Sequence, residues 1–231
     1  MNIFYAPPSQ INNGFIELLD QEANHASRVL RAREGDSLTV VDGRGGRYQG
    51  TIRRITKKSM QVEIENNDQE PVPSPRLALG IGIIKKRDRL EFAVEKAVEL
   101  GVAEIRLFRS DHSIKENVRM DRLQAIAISA MKQSLRAWLP EISLDHSVEE
   151  VLDCSGSARI FAAHEEVDAV KENGVQEQDS NGAKLLMVGP EGGFSDREVQ
   201  LFKQREAQLV SLGSNRLRTE TAAVAFLSQF I

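Results

Sequence analysis

The chain has 231 residues, of which 41% are hydrophobic and 28% charged, and its formal net charge at pH 7 is −4. This length and hydrophobic content predict a globular, soluble protein with one large domain or two small ones. No apolar run approaches the roughly 20 residues that span a bilayer, and residues 1–8 lack the features of a signal peptide, so we expect a cytoplasmic protein without membrane contact. The negative charge argues against general affinity for nucleic acid, so any RNA binding must depend on local patches.

The first predicted elements are β-strands at Ser37 to Val41, Arg47 to Thr56 and Met60 to Glu65, with a glycine-rich turn between the first two. The polar, proline-rich segment from Asn66 to Pro75 is predicted to be a linker that holds neither helix nor strand. We therefore expect a small all-β domain over residues 1–70.

The same region carries a cluster of positive charge. Residues 25–58 contain nine cations and three acids, which gives a local balance of +6. The cations are Arg28, Arg31, Arg33, Arg44, Arg47, Arg53, Arg54, Lys57 and Lys58. A solvated charged face and a nucleic-acid-binding surface both fit this pattern.

Beyond the linker, predicted strands alternate with predicted helices. A strand over Leu77 to Ile84 precedes a helix from Arg89 to Leu100, which we expect Asp88 to cap and Gly101 to end. The next strand is predicted at Ile105 to Phe108.

A second long helix is predicted from about Arg122 through Trp138, with Pro140 ending it. We expect Trp138 in the core or a dimer interface rather than stacked on a base. The single cysteine, Cys154, can form no internal disulfide and suggests no metal site; we interpret it as a buried small residue. The polar run Lys171 to Gly182 is predicted to be a loop.

The final predicted strands are Arg159 to Ala163, Leu185 to Val188 and Leu209 to Gly213. This alternation is typical of an α/β domain with a mostly parallel sheet, here over residues 74–231. The last two strands each lead through a loop into a helix, and Ser195 with Glu198 forms a capping box at the first of these helices. In a parallel sheet both loops would lie at one end, where such sheets bind ligands.

These two loops carry a family resemblance. The segments GPEGGFSDREV and LGSNRLRTETA resemble the last two motifs of the SPOUT-superfamily enzymes that methylate N3 of a uridine in bacterial 16S ribosomal RNA. The resemblance continues in the segments EKAVELGV at 95–102, QSLR at 133–136 and NHASRVLR at 24–31, and covers nearly the whole chain. One departure is Lys132, where the family pattern usually has a glutamate.

The resemblance implies a trefoil-knotted C-terminal domain, an N-terminal PUA-like RNA-binding barrel, and a homodimer. It also implies S-adenosylmethionine as the cofactor and 16S rRNA as the partner. The spacing of the histidines and the single cysteine predicts no metal site. The implied cofactor contacts are Ala163, His164, Gly189, Pro190, Glu191, Gly193, Leu212, Gly213, Leu217 and Arg218. A structural or solvent-facing role for His164 stays open.

Loss of the N3 proton builds negative charge on the uracil, so a nearby cation would assist the reaction. Arg218 is the first candidate for that cation. Glu191 is either a base or a carboxylate that binds loop amides. Candidate RNA contacts are Arg28, Arg31, Lys85 and Arg87, although a plain solvated run fits the last two equally well. Two alternatives remain open: ribose 2′-O-methylation, and a non-catalytic RNA-binding or ribosome-assembly protein.

Overall fold

The computed structural model describes residues 3–113, 117–165 and 182–231. The chain divides into two compact units, a first unit of residues 1–72 with 128–139 and a second unit of residues 73–127 with 140–231. The predicted loop from Lys171 to Gly182 lies, except for its last residue, outside the described residues. No helix in the described ranges is long and apolar enough to cross a membrane.

The first unit is built on a six-stranded sheet in the order β1-β4-β5-β6-β3-β2. Its strands are β1 (Ile3–Tyr5), β2 (Ile11–Asn12), β3 (Phe15–Leu19), β4 (Ser37–Val41), β5 (Gly46–Ile55) and β6 (Ser59–Gln69). Alternating apolar residues such as Ile16, Leu18 and Met60 are fully buried in its core. The unit is not purely β, because a short helix α1 (Asp20–Asn24) continues into one π-helical turn over His25–Val29.

The predicted linker begins too early. Asn66 to Gln69 belong to β6, where they pair with residues 46–49 of β5 in an antiparallel ladder. Backbone hydrogen bonds to β5 outweigh the low strand propensity of Asn and Asp, which is a tertiary effect.

The helix predicted to reach Trp138 is shorter: α3 spans Met120–Gln133. Leu135 has a left-handed backbone (φ 58°), which a continuing helix does not allow. Trp138 therefore lies beyond the helix, where its Nε1 donates to the Pro71 carbonyl at 3.0 Å and its ring packs on Gly45 within the first unit.

The second unit contains a six-stranded sheet in the order β12-β10-β11-β7-β8-β9, with every pairing parallel. The strands are β7 (Leu77–Gly82), β8 (Glu104–Phe108), β9 (Glu141–Asp145), β10 (Arg159–Ala163), β11 (Lys184–Val188) and β12 (Gln208–Val210). The other helices are α2 (Arg87–Glu99), α4 (Val148–Asp153), α5 (Asp196–Gln204) and α6 (Thr219–Leu227). This confirms the predicted α/β fold with a mostly parallel sheet.

Helices cover both faces of this sheet. The central strand β11 is therefore buried along its whole length. On one face, Phe202 of α5 and Val151 of α4 pack against Leu185 and Met187. On the other, α6 packs on β7, β11 and α2, and the Phe161 and Phe230 rings meet edge to face at 5.1 Å. The knot that the resemblance implies remains a prediction.

Two local predictions in this unit are wrong. Asp88 does not cap α2: the helix begins one residue before it, at Arg87, and its N-cap Lys86 makes no side-chain cap hydrogen bond. Cys154 is exposed rather than buried, because it caps the carboxyl end of α4, a short helix whose end faces solvent.

Candidate functional site

A cleft of about 490 Å³ lies in the second unit, at the carboxyl ends of β10, β11 and β12. All ten residues that the resemblance implied as cofactor contacts line it. Further lining residues are Glu165, Val188, Gly192, Phe194, Ser211, Asn215, Arg216, Thr219 and Ala222. The parallel pairing brings three loop-bearing strand ends together, as expected for a ligand site of an open α/β sheet.

The loop after β11 is a tight turn that leads directly into α5. The Gly193 amide donates to the Pro190 carbonyl at 2.9 Å, and Gly193 has φ +69°, a conformation that favours glycine. The predicted capping box of Ser195 and Glu198 is present at the start of α5. The turn and the cap together place backbone groups along the cleft wall.

Glu198 does more than cap its own helix. Its carboxylate is 1% exposed and accepts hydrogen bonds from the Ser110 hydroxyl at 2.8 Å and the Asp111 amide at 3.0 Å. A buried carboxylate is stable only with such partners. Glu198 therefore ties the loop after β8 to the cleft loop.

A second contact reinforces this connection. Arg197 donates to both oxygens of Asp111, at 3.0 and 2.7 Å, and the Ser195 hydroxyl donates to Asp111 at 2.6 Å. The hydrogen bonds from Arg197 and Ser195 lower the pKa of Asp111 to about 2, and the contribution of Arg197 is the larger. The Asp111 carboxylate is therefore ionised at neutral pH and holds the start of α5.

The two predicted ligand loops contact each other through Arg216. Its guanidinium donates to the Glu191 carbonyl at 3.2 Å and forms an ion pair with Glu165 at 3.2 Å. The Glu191 side chain accepts a hydrogen bond from the Lys85 backbone amide, also at 3.2 Å. Sequence reasoning missed Glu165, since no local pattern connects it to a residue about fifty positions later.

The loop after β12 presents Arg218 at its end. Gly213 has φ +125°, which a side chain rarely permits, and Arg218 is the N-cap residue of α6. The Arg218 side chain is exposed, and within the described residues no carboxylate pairs with it. Arg218 is thus a cation that lines the cleft and forms no ion pair with the described residues.

The predicted RNA-contacting residues fall in both units. Arg28 and Arg31 are exposed in the first unit, and Lys85 and Arg87 are exposed in the second. Two other cations of the basic cluster are already paired, Arg47 with Glu70 and Arg53 with Glu63. Across residues 3–113, 117–165 and 182–231, no group of three or more His, Cys, Asp or Glu side chains could hold a metal ion.

This fold and cleft define a two-unit protein whose parallel α/β unit has a ligand site at the sheet edge. A model of the RNA methyltransferase domain matches residues 71–231, and a model of the RNA methyltransferase PUA domain matches residues 18–65. The chain belongs to the RNA methyltransferase family that includes the ribosomal RNA small subunit methyltransferases E.

Individual relatives agree with this assignment. The ribosomal RNA small subunit methyltransferase E of Rickettsia conorii is 29% identical, over 99% of this chain and 94% of its own. A crystal structure of a probable rRNA methyltransferase from Porphyromonas gingivalis is 36% identical, with a TM-score of 0.87 over 99% of this chain and 96% of the other. The Neisseria gonorrhoeae methyltransferase E, crystallised with S-adenosylmethionine, is 31% identical, with a TM-score of 0.84 over 99% and 95%.

Proposed function

We propose that this protein transfers a methyl group from S-adenosylmethionine to N3 of a uridine in 16S ribosomal RNA of the small ribosomal subunit. The observation that carries the proposal is the 490 Å³ cleft, which gathers all ten residues that the resemblance implied as cofactor contacts. The Neisseria relative that contains S-adenosylmethionine supports the choice of ligand. The names of the curated relatives support small-subunit rRNA as the substrate.

The cleft residues fit S-adenosylmethionine. The volume lies within the roughly 300–1,000 Å³ of small-molecule sites. Gly193 and Gly213 supply backbone in conformations that side chains disfavour, so main-chain groups can approach a ligand closely. His164 and Leu217 flank these loops. When bound, the cofactor supplies an electrophilic methyl group.

We propose that Arg218 stabilises the negative charge that develops on the pyrimidine as its N3 proton leaves. A guanidinium without a carboxylate partner can direct its full charge at the substrate, and a preorganised cation of this kind lowers the barrier substantially. Glu191 retains two possible roles, but its hydrogen bond with the Lys85 amide favours the role of holding the loop.

The division of labour along the chain is part of the proposal. Residues 1–70 would form the RNA-binding, PUA-like domain, with Arg28 and Arg31 contacting phosphates, and residues 74–231 would form the knotted methyltransferase domain. Exposed arginines suit phosphate binding because the guanidinium fork matches the geometry of phosphate oxygens. We also propose that the protein acts as a homodimer in the cytoplasm.

Tritium transfer tests the proposed reaction. The purified protein is incubated with methyl-labelled S-adenosylmethionine and small subunits from a strain that lacks this protein, and the RNA is then digested to nucleosides. We expect the label in a uridine whose methyl group stays with the base when the glycosidic bond is cleaved. Label that remains with the ribose would indicate 2′-O-methylation, and no transfer to subunits or naked 16S rRNA would contradict the proposal.

A further inference from the structure

A second, smaller cavity lies in the second unit and is not part of the cleft. It has a volume of about 130 Å³, and we call it the side cavity. Its floor consists of Ile83, Ile84, Leu90 and Leu123, which are all at most 5% exposed. Its rim consists of Arg87, Glu91, Asn117, Val118, Arg119 and Arg122.

The size and the floor restrict what the side cavity can hold. The volume of 130 Å³ is close to the roughly 150 Å³ of an apolar cavity that binds benzene. This is well below the roughly 300 Å³ at which sites for drug-sized ligands begin, so a whole cofactor would not fit. A single planar ring would fit, and an aliphatic floor suits the face of such a ring.

The rim adds an excess of positive charge. Arg122 is 3.3 Å from Glu91, and Arg119 is 2.9 Å from Asp121, which does not line the cavity. Arg87 has no carboxylate partner within the described part of the chain. Three cations and one carboxylate line the cavity, so a ligand with a negatively charged group beside its ring would suit the rim. The Asn117 amide can both donate and accept hydrogen bonds at the edge of such a ring.

The location connects this cavity to the cleft. Ile83 and Ile84 follow β7, which lies beside β11 in the sheet, so both sites open at the same edge. The next residue, Lys85, donates its backbone amide to Glu191 of the cleft. The segment after β7 therefore lines the side cavity with Ile83 and Ile84 and contacts the cleft loop through Lys85.

We propose that the side cavity binds one unstacked base of the substrate RNA, next to the nucleotide that is methylated, while Arg87 and Arg119 contact its phosphates. This inference rests on the proposed function, because RNA must be the substrate. Enzymes that modify a base take nucleotides out of the stack and hold them in close-fitting pockets. Contact with the apolar floor offsets part of the stacking energy that the base loses.

Filling the cavity tests this proposal. Val118→Trp places an indole at the rim, and Gln124→Trp places the same side chain at an exposed position of α3 that does not line the cavity. We expect Val118→Trp to raise the KM for small subunits about tenfold while the S-adenosylmethionine affinity stays within about twofold of wild type. Gln124→Trp is expected to change neither quantity. An unchanged KM in Val118→Trp would overturn the proposal.

A second variant tests the proposed phosphate contacts of the rim arginines. Arg87→Ala with Arg119→Ala is expected to reduce the slope of log affinity for 16S rRNA against log salt by roughly 0.7 per lost phosphate contact. An unchanged slope would overturn the phosphate contacts. The salt-slope measurement needs no turnover, so absence of methyl transfer in the wild type would contradict the proposed function while the slope still decides the phosphate contacts at the side cavity.

Discussion

The Glu191 carboxylate accepts a hydrogen bond from the Lys85 backbone amide at 3.2 Å, which joins the loop after β11 to the segment after β7. The backbone carbonyl of Glu191 meanwhile accepts from Arg216 of the loop after β12. Glu191 thus joins its own loop to two other segments of the second unit. These hydrogen bonds hold the cleft loops against each other and against the segment after β7.

This contact predicts how Glu191 variants behave. Glu191→Gln keeps an acceptor oxygen for the Lys85 amide, so we expect turnover within a few-fold of wild type. Glu191→Ala leaves that amide without its partner and should weaken S-adenosylmethionine binding by about 0.5–1.5 kcal/mol, measured by calorimetry. A general base contributes about 10²–10⁴-fold, so a loss of that size in Glu191→Gln alone would instead identify Glu191 as the base.

Arg218 is expected to be essential for turnover but not for folding. Its side chain is exposed and makes no ion pair within the described residues, so Arg218→Ala should leave the melting temperature unchanged. We expect kcat to fall by at least about 10²–10³-fold, the usual effect of removing a group that stabilises transition-state charge. The control is Arg205→Ala, an exposed arginine outside the cleft that pairs with Asp153. Wild-type methylation by Arg218→Ala would remove this residue from the mechanism.

The basic cluster predicts a defect that is confined to RNA. Arg28→Glu with Arg31→Glu should weaken binding to 16S rRNA and reduce the slope of log affinity against log salt by roughly 0.7 per lost phosphate contact, while S-adenosylmethionine affinity stays unchanged. Arg76→Glu with Lys203→Glu makes the same change in net charge in the second unit and serves as the control. Filter binding at several salt concentrations measures both pairs. Equal loss of RNA and cofactor binding in the first pair would indicate misfolding or a wrong domain assignment.

The Asp111 network predicts a pH-dependent contribution to stability. The folded-state pKa is lowered from 3.8 to about 2, so the ionised carboxylate stabilises the fold above about pH 4 and loses this effect as the pH falls towards 2. The difference in unfolding free energy between wild type and Asp111→Asn should therefore shrink from about pH 5 to about pH 2 in urea titrations. Asp196→Asn, which leaves the contact between Arg197 and Asp111 intact, is the control. A difference that stays constant with pH would contradict this role.

Lys132, the departure from the family pattern, has a structural partner. It forms an ion pair with Glu22 in the first unit, and both side chains are about one-fifth exposed or less. We expect Lys132→Glu to lower the unfolding free energy by about 1–3 kcal/mol, because it places two carboxylates together. Adding Glu22→Lys should restore most of the loss. If the effects of the two substitutions on the unfolding free energy simply add in the double mutant, the ion pair contributes nothing to stability.

The cleft could be predicted because its signals are local. The capping box of Ser195 and Glu198 marks where α5 begins, and the glycines mark where backbone approaches a ligand. The parallel alternation of strands and helices then places both loops at one edge. The residues implied as cofactor contacts therefore lie together without any long-range information beyond the fold class.

The remaining features depend on long-range contacts. The edge strand β9 carries little buried apolar surface and α4 has only six residues, so neither produces a clear periodic pattern. The extension of β6 over Asn66 to Gln69 requires β5 as a partner. The ion pair of Arg216 with Glu165 joins loops far apart in sequence. A short stretch of sequence does not contain both partners of the β5–β6 pairing or of the ion pair between Arg216 and Glu165.

Titration calorimetry of the whole chain with S-adenosylmethionine tests the cleft most directly. We predict saturable binding at one site per chain, weakened at least about tenfold by Gly213→Val, whose branched side chain disfavours φ +125°. Gly35→Val introduces comparable backbone strain at φ +95° in the first unit and should leave the affinity unchanged. No heat from the wild type, or equal affinity in wild type and Gly213→Val, would contradict a methyl-donor site between these loops.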